Sequence, residues 1–215
     1  MPVLAYCTFE FDPQIRVPEV GVQGEPISLI RESKLACLVS QFTTVKSGSN
    51  EPLREAALVF NRVLQAVFQQ AAIVPFRFPT LVENEREISR YLQERESELL
   101  RDLHRFREMV QMEIEVQSDV PATIGQQQSG QGYLRTRQAR AAVLEGAVSD
   151  LRSGVKSCIL EWRTRPSASR TRCYVLLQRS ALHDFCQKAK SVRLPDDIRA
   201  RMTGPWPVSE FMSET

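Results

Sequence analysis

The sequence predicts an α+β fold: a small N-terminal α+β domain with a linking helix over residues 1–104, then a ferredoxin-like βαββαβ domain over 105–215. Three observations predict it. Val110, Met112, Ile114 and Val116 alternate with Gln111, Glu113, Glu115 and Gln117, the pattern of a strand with one buried and one wet face. From residue 107 onward the order reads strand, helix, strand, strand, helix, strand, which is the split βαβ order. Before it, a strand, a hairpin, a helix and a strand make a smaller α+β layer. A chain of 215 residues with 42% apolar and 25% charged side chains can bury a real core.

Taken in order, Val3 to Phe11 is apolar and aromatic and reads as a strand. Asp12 to Gly24 holds two prolines and two glycines and reads as a loop. Pro26–Ile30 and Leu35–Phe42 form a hairpin around the polar turn at 31–34. Ser47–Asn50 is a loop, and Asn50 can cap the helix that follows. That helix sets Leu53, Ala56, Ala57, Phe60, Leu64, Val67, Phe68 and Ala71 on one face. Ile73–Phe78 reads as a strand. Asn84 to Phe106 reads as one charged helix capped by Asn84 and Glu87, with a narrow stripe of Ile88, Tyr91, Leu92, Leu99, Leu103 and Phe106. So thin a stripe suggests a helix linking the domains.

After the alternating strand, Ser118 to Gly132 is a Gln/Gly/Ser-rich loop. A long helix over 132–156 carries Leu134, Ala141, Leu144, Val148, Leu151 and Val155 as a packing seam. Cys158–Arg163 and Arg172–Gln178 read as strands joined by a turn at 165–170. Ser180 caps a short helix with Leu182, Phe185, Cys186 and Ala189 inward. A last strand starts near Ile198 and runs into Gly204-Pro-Trp-Pro207. Two prolines fix φ around Trp206 and remove backbone donors, so this tail must run extended. Trp206 is expected to be buried against the second domain and to tie the terminus down. The sharper reading makes Trp206 and Phe211 a partner-binding plug.

Charge is lopsided. Residues 1–130 hold 13 basic and 18 acidic side chains, and residues 131–201 hold 15 basic and 6 acidic. The second part therefore suits an acidic partner. Its arginines cluster: Arg163, Arg165, Arg170 and Arg172 bracket one hairpin, and Arg135, Arg137 and Arg140 lie on the long helix. Protein contact is the functional reading of this cluster. RNA binding is disfavoured, since the hairpin offers only Trp162 and Tyr174 for base stacking.

Chemistry-bearing patterns are sparse. The five cysteines form no C-x-x-C pair and read as small core residues of a reducing cytoplasm. His104 and His183 stand apart on helices. No metal-ligand spacing, nucleophile elbow or phosphate loop is present, so no catalytic, cofactor or metal residues are assigned. Glu113 and Glu115 read as a solvated face rather than an acid–base pair. The N-terminus has no basic region like that of a secretory leader, and no apolar run reaches membrane-spanning length.

One set of motifs is more specific. Thr203-Gly-Pro-Trp-Pro207, followed by the aromatic Phe211, resembles the end of the gas vesicle GvpF/GvpL family. Val74-Pro-Phe-Arg-Phe78 before Thr80, Gly132-Tyr-Leu134 and Cys173-Tyr-Val-Leu-Leu177 agree with it in order. Gly21-Val-Gln-Gly-Glu-Pro-Ile27 and Leu35-Ala-Cys-Leu-Val-Ser40 fit as well. Pro79 stands where the family has Gly, and Val208-Ser-Glu210 replaces its Pro-Tyr. The resemblance implies a non-enzymatic accessory protein that assists assembly of the vesicle shell. Its implied partners are the small apolar shell subunit and other gas vesicle accessory proteins, in the cytoplasm and at the vesicle, with no cofactor. The alternative on residue chemistry alone is a ferredoxin-like module binding a small molecule or nucleic acid.

Overall fold

The structure is a computed structural model that describes residues 2–43, 51–118, 130–167 and 170–212, and side chains for all of these except Glu51 and 130–137. The expected Asn50 cap, most of the 118–132 loop and the side chains of Leu134, Arg135 and Arg137 lie outside that description. The chain divides into two units. Unit 1 is Met1–Arg107 with Pro207–Thr215, and unit 2 is Glu108–Trp206. The division thus falls after Arg107, and the last nine residues group with unit 1 rather than with the ferredoxin-like region.

Unit 1 contains β1 (Val3–Glu10), β2 (Ile27–Glu32), β3 (Leu35–Gln41) and β4 (Val74–Val82) in the antiparallel order β2-β3-β1-β4. Its helices are α1 (Glu51–Phe68), α2 (Glu85–Glu94) and α3 (Glu96–Arg105). β1 and β3 are apolar at nearly every position, not alternately, because both faces of the sheet are covered. On one face, Ile88, Leu92, Leu99 and Leu103 of α2 and α3 join Val3, Ala5, Ile30, Leu35, Cys37 and Val39 in a single core. The helices expected to form one linking rod are therefore two helices packed on this sheet. They break at Arg95, whose φ of −114° and ψ of 13° interrupt the helix. The predicted cap is present: Asn84 accepts from the Arg86 N–H at 3.0 Å, and Glu87 accepts from the Glu83 N–H at 3.1 Å.

On the other face, the Phe60 ring of α1 stacks on Tyr6 at 5.0 Å. Phe60, Val63, Leu64, Val67 and Phe68 are buried along α1, whereas Leu53, expected inside, is 48% exposed. Residues 76–79 of β4 bulge between the paired residues Pro75 and Thr80. Phe76 there meets Tyr91 of α2 at 5.5 Å, and Phe78 meets Phe60 of α1 at 5.2 Å. The bulge lets one short motif serve both helix layers.

Tyr6 also fixes the loop after β1. Its hydroxyl accepts from the Val22 N–H at 2.8 Å and shares a hydrogen bond with Ser40 Oγ at 2.9 Å. A Cβ on Gly21 would collide with that hydroxyl, so only glycine fits.

Unit 2 contains β5 (Met109–Ser118), α4 (Gly130–Val155), β6 (Glu161–Pro166), β7 (Arg170–Gln178), α5 (Leu182–Ser191) and β8 (Ile198–Trp206). The sheet order β6-β7-β5-β8, antiparallel throughout, is the ferredoxin-like arrangement. Val110, Met112, Ile114 and Val116 are buried as the alternation predicts. Leu144, Ala147, Leu151 and Val155 form the buried seam of α4. Ala141, expected in it, is exposed, and Val148 is half-buried. β6 begins later than expected because Lys156–Cys158 form a 3-10 turn. Ser180 caps nothing; a 3-10 turn over Arg179–Ala181 leads into α5.

The end of β8 explains the glycine of the tail motif. Pairing between β5 and β8 slips between Gln111 and Glu113, and Gly204 sits in the slip with φ +122°. A Cβ there would lie 2.7 Å from Met112 Sδ and 3.0 Å from the Gln111 carbonyl oxygen. Trp206 follows as the last residue of β8, opposite Gln111.

Candidate functional site

Strand register assembles the arginines. Odd positions of β5 and β6 and even positions of β7 share one face of the unit 2 sheet. Side chains stand there in rows across the strands. One row is Arg163, Tyr174, Glu113 and Thr203; the next is Arg165, Arg172, Glu115 and Arg201; the last is Arg170, Gln117 and Arg199. All four hairpin arginines singled out in the sequence therefore meet on one surface. Arg199 and Arg201 join them from β8 and were not anticipated. Their signal was the period of two in Arg199-Ala-Arg201, which only the pairing with Gln117 and Glu115 makes meaningful.

The glutamates expected to be merely solvated are tied to these arginines. Glu115 Oε2 meets Arg172 Nε at 3.2 Å and Arg170 Nη1 at 3.3 Å. Glu113 Oε1 stands 3.6 Å from Arg172 Nε, and Glu161 Oε1 takes a 2.8 Å bond from Arg163 Nε. The Arg165 guanidinium lies 5.5 Å from the Tyr174 ring centroid. Hydrogen bonds to Tyr174 and then Glu115 raise the Arg172 pKa further above its already high ordinary value. Its charge is permanent across any working pH.

Aromatic side chains do not form a stacking platform here. Tyr174 is on the arginine face but only 7% exposed. Trp162 points to the opposite face, in register with Val175. Trp206 is half-buried rather than buried as expected, and its Nε1–H donates to Thr203 Oγ1 at 3.3 Å. Phe211 is the buried aromatic of the tail, at 2% exposure, and belongs to unit 1.

Other titratable groups have structural company. Glu10 accepts from Arg107 at 2.9 Å and stands 3.1 Å from His104 Nε2. His183 is exposed beside Gln187. Cys7, Cys37 and Cys173 are fully buried, and Cys158 and Cys186 are half-buried. Burial pushes the Cys37 and Cys173 thiols up to about 12, and Cys7 well above its ordinary value. Such thiols stay protonated and inert. An open depression of about 540 Å³ lies at the start of α2, lined by Val3, Gln41, Glu83, Asn84, Glu85 and Arg86. Among the described residues no three His, Cys, Asp or Glu side chains gather as a metal site, and no helix is long and apolar enough to cross a membrane.

The model of one family, described as gas vesicle synthesis protein GvpL/GvpF, matches residues 2–213. The chain belongs to the GvpL/GvpF family. Two solved structures share its fold. The gas vesicle protein GvpF from Anabaena sp. PCC7120 superposes with a TM-score of 0.78 at 14% identity, covering 100% of this chain and 97% of that one. GvpF from Microcystis aeruginosa gives 0.77 at 15% identity, covering 99% of each. No curated protein sequence matches the chain. At such low identity the structures speak for the fold, and family membership rests on the model match. The Gly-Pro-Trp-Pro tail, the Val-Pro-Phe-Arg-Phe bulge and the Gly21 loop, which carried the resemblance, all lie within the matched residues and have local packing reasons.

Proposed function

We propose that this chain assists gas vesicle assembly by binding the apolar shell subunit and holding it soluble until it joins the wall. The observation that carries this reading is the family match over residues 2–213. The role is binding, not turnover. Its carboxylates and histidines sit in structural pairs such as Glu10 with Arg107 and His104, and its best-buried thiols are protonated. The working place is the cytoplasm and the vesicle surface, with other accessory proteins as further partners. The hairpin arginines Arg163, Arg165, Arg170 and Arg172 contribute to partner contact. Trp206, half-buried on the same sheet face at the far edge strand, adds apolar area.

The test is capture of a gas vesicle shell subunit by the tagged, folded chain at low and high salt. Capture at low salt supports the reading, and weakening as the Debye length falls from about 10 Å toward about 3 Å would reveal an electrostatic share. No capture at any salt rejects it.

A further inference from the structure

Unit 2 carries 15 basic against 10 acidic side chains, a formal +5, while unit 1 is −3. The excess is concentrated on the sheet face described above. Its last two rows hold Arg165, Arg170, Arg172, Arg199 and Arg201, and Glu115 stands among them. Fold stability does not explain this density. Arg165 stands directly opposite Arg172 across β6 and β7, and like charges so placed are destabilising. Nor is general solubility the reason, since lysine would serve it and none occurs in the four strands. Arginine presents a planar fork that grips a carboxylate through two parallel bonds.

We propose that these two rows form a docking site for an extended acidic segment of a partner polypeptide. Glu115 holds Arg170 and Arg172 in place as a preset floor, with Arg165 on one side and Arg199 and Arg201 on the other. Alternate residues of a strand repeat at about 6.5–7 Å. The pairs Arg170/Arg172 and Arg199/Arg201 carry that repeat, and so does an extended peptide with an acid at every second position. The charge match favours a peptide over nucleic acid because no aromatic ring stands in these rows for a base to stack on. Tyr174 is buried in the neighbouring row, and Trp162 faces away. The site follows from the geometry of unit 2 and does not depend on the identity of the vesicle partner, so its failure leaves the shell-subunit reading standing.

The experiment uses the full chain and a fluorescent peptide of alternating Glu and Ala, about twelve residues long, followed by anisotropy. Arg199→Glu/Arg201→Glu is compared with Arg54→Glu/Arg62→Glu, which makes the same charge change on exposed positions of α1. Wild type binds saturably and more weakly as salt rises. The β8 variant loses at least about tenfold in affinity, and the α1 variant less than about twofold. A single-stranded RNA of equal length binds more weakly than the peptide. If the β8 reversal fails to keep the wild-type circular dichroism spectrum, Arg199→Gln/Arg201→Gln takes its place with the same expected ordering. Absence of saturable binding, equal losses in both variants, or tighter binding of RNA through the same arginines overturns the proposal.

Discussion

Gly204→Ala should destabilise unit 2 by about 2–6 kcal/mol. Two effects add. A φ of +122° is a backbone conformation that a residue with a Cβ adopts only under strain, at about 1–3 kcal/mol. The new Cβ would also stand 2.7 Å from Met112 Sδ and 3.0 Å from the Gln111 carbonyl oxygen. The methionine can swing aside, but the carbonyl belongs to the central strand and cannot, so overpacking adds about 1–3 kcal/mol. The assay is urea unfolding followed by tryptophan fluorescence. Both tryptophans, Trp162 and Trp206, lie in unit 2, so the signal reports that unit. Gly146→Ala is the counterpart. Gly146 sits in α4 with open space where its Cβ would be, so alanine should stabilise by up to about 1 kcal/mol. A Gly204→Ala loss under about 0.5 kcal/mol, or the same sign in both variants, would refute the reasoning.

Phe211→Ala should lower thermal stability more than Trp206→Ala. The first empties a site at 2% exposure, costing about 3–5 kcal/mol, while the second removes a half-exposed ring; equal losses would contradict this. Tyr6→Phe should leave the Val22 amide without its acceptor, costing about 1–3 kcal/mol, and hydrogen exchange should show that amide losing protection. A thiol reagent should modify Cys158 and Cys186 quickly and reach Cys7, Cys37 and Cys173 only on unfolding. The buried thiols also set a pH dependence. Their folded pKa lies above the ordinary 9.0, so their contribution is full below about 9. Stability should then fall between about pH 9 and about 12, and Cys173→Ala should flatten the decline.

Where periodicity was clean, the fold was legible in the sequence. The β5 alternation and the order of elements after it gave the ferredoxin-like sheet, because one buried face imposes a period of two. The charged segment from Asn84 read as one helix because a break at Arg95 needs neither Gly nor Pro and leaves the apolar stripe almost in phase. Its packing was missed because a narrow stripe signals few contacts, yet Ile88, Leu92, Leu99 and Leu103 fill a whole face of a sheet. Trp206 was expected inside because a large ring stood locked between two prolines beside a strand near the terminus. Its place on the polar face follows from pairing with Gln111, a fact of register, not of composition. The arginine cluster was half legible. Nearness in sequence exposed the hairpin members, while Arg199 and Arg201 arrive beside them only because β8 pairs with β5. Likewise Glu113 and Glu115 looked solvated until β7 set Arg172 against them.

The most direct measurement of the assembly role is the solubility of a co-expressed shell subunit. With this chain present, the subunit should move from the pellet to the supernatant and elute with the chain on size exclusion. A subunit that stays in the pellet beside abundant, folded chain would contradict the account.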